Sequence, residues 1–141
     1  MSDHVHIVEV GPRDGLQNEK TPLSVADRIA FVEALVGAGL RAVEVGAFVS
    51  PKAIPQMVGS AEVLRGVSHH THCELPVLVP NEKGYEASQA AGAKLIAVFA
   101  AASESFSRAN INCSIAESIE RFRPVLARAK ADGVRVRGYV S

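Results

Sequence analysis

His6-Ile-Val-Glu-Val-Gly-Pro-Arg-Asp-Gly-Leu-Gln-Asn18 decides how the rest of the chain reads. Ile7, Val8 and Val10 form a short apolar run cut off by Gly11-Pro12, the pattern of a buried strand that stops abruptly. Directly after the stop stand a guanidinium (Arg13), a carboxylate (Asp14), a glycine and an amide (Gln17). A cation and an anion together at the end of a buried strand are costly unless they serve each other or a ligand. A carboxylate there can hold a hard divalent cation, and an arginine can face an oxyanion without losing its proton. Taken alone, Arg-Asp-Gly has a simpler reading as an exposed turn with an ion pair.

Working outward, the same unit recurs. Ser24-Val-Ala-Asp27 has the form of a helix start, and Val25, Ile29, Val32, Leu35 and Val36 then share one helical face before Gly37 and Gly39. Ala42–Val45 reads as a second strand and Ala61–Val67 as a short helix. Leu75–Val79 is a third strand, and Asn81 to Ala91 a helix entered through a capping asparagine. Leu95–Phe99 is the most continuous apolar run and the fourth strand, followed by a polar loop from Ser103 to Asn112. Ser114-Ile-Ala-Glu117 is a capping box opening the longest helix, closed by Gly133, and Val134–Val140 is a fifth strand.

Strands this short and this uniformly apolar belong to a parallel sheet covered on both faces. An open doubly wound sheet and part of an eight-stranded barrel both fit. No Gly-x-Gly-x-x-Gly follows the first strand, which argues against a dinucleotide site. Chemistry-bearing side chains follow strand ends instead: Arg13 and Asp14, Glu44, Asn81, Tyr139. That distribution favours the barrel. A full barrel takes about 250 residues, so residues 1–141 read as a single-domain, amino-terminal part of a (β/α)8 barrel, about five parallel strands and four helices.

Composition narrows the function. Fifteen basic and fifteen acidic residues cancel, which removes the electrostatic case for nucleic acid or an anionic membrane. No apolar run approaches the roughly 20 residues of a membrane span, and the first strand begins too near Met1 for a targeting peptide. The expected compartment is the cytoplasm, with Cys73 and Cys113 reduced.

The runs VEVGPRDGLQNEK, VEVGAFVSPKAIPQM, PVLVPNEKGYEA, AASESFSRANINCS and VRGYVS resemble hydroxymethylglutaryl-CoA lyases, in order and over essentially the whole chain. These belong to a wider group of metal-dependent barrel lyases and aldol-type synthases. Arg-Asp-Gly-x-Gln alone marks the wider group; Gly11–Glu19 with Phe48–Lys52 and Asn110–Ser114 is specific to the lyases. The resemblance implies cleavage of 3-hydroxy-3-methylglutaryl-CoA to acetoacetate and acetyl-CoA with Mg²⁺ or Mn²⁺. It makes Arg13 the catalytic and substrate-binding arginine beside the thioester oxygen and Asp14 a metal ligand. Glu44 becomes a catalytic carboxylate orienting substrate or Arg13, and Gln17, Tyr139 and Ser114 become substrate contacts. It implies a homo-oligomeric complete protein, and it places the family's His-x-His metal pair, an asparagine ligand and a mobile cysteine loop beyond Ser141.

Plainer readings stand beside these. Glu44 can pair with Arg41 on a surface, Tyr139 can be rim packing, and Ser114 is first of all a helix cap. Lys52 and Lys83 read as solvated, and Ala47 stands where many relatives carry serine. His69, His70, His72 and Cys73 imitate a metal cluster but have no second ligand pair at finger-like spacing, so they read as a solvated loop. The rival functions are a bond-forming synthase of the same group and a non-catalytic half barrel that associates through its open edges.

Overall fold

A computed structural model describes residues 4–141. The expectations of a domain from residue 1 and of no leader before the first strand extend over residues 1–3, which lie outside the described residues. Among the described residues, four parallel strands, β1 (Gly46–Ala47), β2 (Val77–Leu78), β3 (Leu95–Ala100) and β4 (Arg135–Val140), form one sheet in chain order. Gly46 pairs with Val77, Leu78 with Ala97, and Phe99 with Tyr139. Parallel bridges from Glu9 to Val43 and from Ala42 to Glu74 carry the same order back to the amino-terminal segment. A doubly wound sheet reverses its strand order at a switch point, whereas a barrel winds one way. This order never reverses, so the fold is a partial (β/α)8 barrel.

Period-2 alternation gives each strand two roles. Val43, Val45, Val77, Val79, Ile96 and Val98 pack outward against the helices. Leu78 and Ala97 face the other way, as does Ala47 after the alternation slips by one residue at Val45–Gly46, with Phe99 and Tyr139 packed on them. Glu44, between two outward valines, points inward and is 0% exposed.

The helices are α1 (Val25–Gly37), α2 (Ser60–Val67), α3 (Glu82–Ala90), α4 (Glu104–Ile111) and α5 (Ile115–Ala131). Side-chain caps open α1, α3, α4 and α5, whereas α2 starts after Gly59 without one. Ser24 Oγ accepts from Asp27 N at 3.1 Å and Asn81 Oδ1 from Gly84 N at 2.9 Å. Ser114 and Glu117 close a reciprocal box. Gly39 (φ 97°) and Gly133 (φ 68°) take left-handed turns just past α1 and α5, which only glycine adopts cheaply.

Two expectations need correction. The stretch 103–112 is not a loop: Ser103 Oγ accepts from Phe106 N at 3.3 Å and opens α4, which ends at Asn112 (φ 50°). Three serines and two asparagines in that stretch have low helix propensity. Here capping and the buried Ser107 bond to Cys113 O (2.7 Å) outweigh propensity. Nor is the first strand buried. Among the described residues of this segment, Glu9 alone bonds into the sheet, donating to Ala42 O (2.9 Å) and accepting from Glu44 N (2.8 Å). Ile7 is 65% exposed, because this segment is a sheet edge paired on one side alone. The chain then tightens into a π-helical turn, Gly11–Gly15, anchored on Val10 O by Asp14 N at 2.6 Å.

A buried arginine fixes the loop after β1. Arg28 is 1% exposed and donates to Val58 O (2.7 Å) and Ser60 Oγ (3.1 Å). Ser60 Oγ donates to Met57 O (2.7 Å) and accepts from Ala47 N (3.2 Å). A Cβ on Gly46 would lie 2.6 Å from Ser60 Oγ and 3.0 Å from Arg28 Nη2, so this close approach requires glycine.

Candidate active site

The site begins with a fully buried carboxylate, Glu44. Glu44 is held inward by strand alternation, and both its oxygens are engaged: Oε1 accepts from Arg13 Nε and Oε2 from Tyr139 OH. Burial of an ion is tolerable when its lone pairs are filled this way. The π-helical turn brings Arg13 in from the first segment, and the last described strand brings Tyr139 in from the opposite edge. Three residues far apart in sequence meet at one point, and the surface pairing of Glu44 with Arg41 is excluded. Burial first, then the bond to Glu44, pushes the Tyr139 phenol up to about 12, so it stays protonated and donates.

Arg13 is the hub. Its side chain is 12% exposed; Nη1 donates to Asp14 Oδ1 at 2.7 Å. Nη2 has no partner among the described residues. Asp14 is 56% exposed, and with Glu44 filled it is the carboxylate here with an oxygen to give a hard cation. Arg13, Asp14, Gln17 and Tyr139 line a cavity of about 720 Å³, whose apolar wall includes Leu78 and Phe99. Gln17 Oε1 is a buried acceptor without a hydrogen-bond partner among the described residues, an orphan suited to a ligand. Phe106, Asn110 and Ile111 bring α4 to the same cavity, residues that a loop reading gave no position.

Ser114 lies elsewhere. Its Oγ accepts from Glu117 N (3.1 Å) as the cap of α5, and it does not line this cavity. Lys52 and Lys83 are exposed. Cys73 and Cys113 are buried and free. Ala47 is buried and offers no polar atom.

The histidines correct the sequence reading. His70 is not solvated: its side chain is 16% exposed and its Nε2 lies 2.6 Å from Glu33 Oε2. His69 Nε2 lies 3.4 Å from Glu33 Oε1. Glu33, 37 positions before His70, comes from α1, so local spacing could not reveal it. Arg28 was also missed. Its signal was positional, since it sits three residues after Val25 and four before Val32 on the buried face of α1.

No helix among the described residues is long and apolar enough to cross a membrane.

Known proteins resemble this chain in sequence and in overall fold. The HMGL-like family profile matches residues 4–140. A hydroxymethylglutaryl-CoA lyase of Pseudomonas mevalonii is 60% identical over 97% of the chain, which covers 46% of that protein. The mitochondrial hydroxymethylglutaryl-CoA lyase of Bos taurus is 55% identical over 97% of the chain, covering 42% of its own length. The crystal structure of the lyase from Pseudomonas aeruginosa superposes with a TM-score of 0.91 at 59% identity, over 94% of this chain and 44% of that one. A lyase from Acinetobacter baumannii, solved with coenzyme A and 3-methylmalate, gives 0.86 at 32% identity over 94% and 43%. The chain thus spans less than half the length of the relatives it matches, and corresponds to their amino-terminal portion. By strand order, by motif and by similarity along nearly its whole length, it belongs to the HMGL-like family.

Proposed function

We propose that this chain supplies the enolate-stabilising part of a site that cleaves 3-hydroxy-3-methylglutaryl-CoA to acetoacetate and acetyl-CoA. The observation that carries the reading is Arg13, aimed at a cavity by a fully buried Glu44 with one guanidinium nitrogen left over. In such a cleavage the C3 hydroxyl loses its proton and the C2–C3 bond breaks. Its electron pair passes to the thioester as an enolate, which is reprotonated at C2. Arg13 Nη2 is the donor for the thioester oxygen, a permanent charge needing no reorganisation. Glu44 fixes the guanidinium plane, and protonated Tyr139 holds Glu44. Gln17 offers a polar contact in the same layer, and Ser114 is a more distant contact towards the CoA-bearing end.

Asp14 fits a divalent ion, Mg²⁺ or Mn²⁺, which when bound would polarise the hydroxyl and a carbonyl. The resemblance places its other ligands outside this chain. The coenzyme A in a related structure supports an acyl-CoA substrate. A homo-oligomeric complete protein and a cytoplasmic setting belong to the same proposal; size-exclusion chromatography and fractionation test them.

In the complete protein, Arg13→Gln lowers kcat about 100-fold or more with little change in KM, as for loss of one oxyanion donor. Steady-state acetoacetate formation measures it, and near-normal turnover would remove Arg13 from this role. Assaying cleavage against condensation separates a lyase from a synthase. The 141-residue chain by itself forms no acetoacetate; measurable product from it would contradict the ligand set.

A further inference from the structure

At the other end of the strands from Arg13, the chain assembles a second set of donors. Glu33 lies near the carboxyl end of α1, and His69 and His70 follow directly on α2. Their ligand atoms all lie within 4.8 Å of one another. We infer that Glu33, His69 and His70 form a binding site for a borderline divalent cation of the Zn²⁺ class, joining the end of α1 to the loop that enters β2.

The donor chemistry selects the ion. Two imidazoles with one carboxylate suit Zn²⁺, whereas Mg²⁺ and Ca²⁺ prefer an all-oxygen shell. Bonds of about 2.0–2.2 Å to a tetrahedral centre leave donors roughly 3.3 Å apart. The 3.4 Å between His69 Nε2 and Glu33 Oε1 already matches. The 2.6 Å contact of His70 Nε2 with Glu33 Oε2 has to open by under an ångström for both atoms to reach the ion.

The surroundings fit a cation. His70 N donates to Val67 O at 3.1 Å, Thr71 N to His69 O at 2.9 Å and Cys73 N to His70 O at 3.1 Å, so the loop holds both rings without a ligand. The carboxyl ends of α1 and α2 lie beside these residues, and the helix dipoles there favour positive charge. The last turn of α1 carries no basic residue to answer them, although α2 has Arg65. The His69 and His70 rings lie 4.1 Å apart at 40°, presenting both edges to the same carboxylate. His72 meets His70 edge-on at 5.7 Å and stays outside the ligand group.

This inference is independent of the proposed lyase chemistry, and the experiment keeps the two apart. The full-length protein is stripped with chelator and titrated with Zn²⁺ by calorimetry, with the unfolding midpoint followed in parallel. The wild type is expected to bind a Zn²⁺ equivalent that raises its midpoint, because a ligand of the native state stabilises it. Glu33→Gln and His70→Ala lose that equivalent, His69→Ala weakens it at least about tenfold, and His72→Ala and Asp14→Asn keep it. Glu33→Gln preserves shape and His69 is 62% exposed, so these variants decide the matter even if His70→Ala fails to fold. Equal Zn²⁺ stoichiometry and equal midpoint shift in wild type and Glu33→Gln would overturn the site. So would loss of all Zn²⁺ binding in Asp14→Asn, which would assign the ion to the cavity instead.

Discussion

Glu44 concentrates more consequence than any other side chain, since it is fully buried with one cation and one phenol as its partners. Removing one member of a buried pair leaves the other uncompensated, at roughly 3–5 kcal/mol. Glu44→Ala is therefore expected to destabilise the protein by about 3 kcal/mol in urea unfolding and, on the proposed function, to lower kcat of the complete protein through a misdirected Arg13. Tyr139 acts at high pH. Its raised ionisation, about 12, favours the neutral phenol in the fold. Its contribution to stability is intact below the unfolded value near 10 and disappears as pH climbs through about 12. Alkaline unfolding of Tyr139→Phe, compared with wild type between about pH 9 and pH 12, measures this: the difference shrinks as pH rises. These residues were legible because a charge between valines or after a Gly-Pro stop demands an explanation. Their mutual contact was not, because it needs three segments folded together.

Elements carry the next level. The strands and four of the helices follow from apolar period and capping residues, which act within a few positions. The element that sequence reading missed, α4, is built from serines and asparagines whose helix depends on a cap and on Ser107 reaching Cys113 O. Likewise the Ile7–Val10 run is apolar enough for a buried strand, yet Ile7 faces solvent because burial depends on a neighbour, not on the run. The loop between β1 and α2 depends on Arg28, whose loss removes charge-assisted hydrogen bonds in a buried place. Arg28→Ala should cost about 3 kcal/mol by chemical denaturation, a sum of roughly 1.5–3 kcal/mol per charged bond less what water restores. A cost within error of zero would show that the loop holds itself.

Across the whole molecule, charge is unevenly placed. Glu74 sits at the start of the β2 segment and pairs with Arg135 and Arg137 from β4, bridging across β3. The Arg135 hydrogen bond, then the nearby charges of Arg135, Arg137 and His6, hold its carboxyl below the ordinary range of 4.5 despite partial burial. A lowered folded value means stability present above about 4.5 and lost as pH falls beneath it. Thermal midpoints taken from about pH 6 down to pH 3 should therefore fall less steeply in Glu74→Gln than in wild type. At this scale the one-way winding was foreseeable from chemistry gathered after strand ends. The histidine–carboxylate cluster was not, because Glu33 is remote in sequence.

Arg28, Ser60 and Gly46 are coupled to one another through their contacts. Enlarging position 46 strikes a hydroxyl and a guanidinium at once, so Gly46→Ala is tolerated only where those two have already given way. Substitutions among the three should depart from additivity by roughly 0.5–3 kcal/mol in a double-mutant cycle. A lineage drifting through this corner would inherit them as a linked block, each replacement conditional on the others.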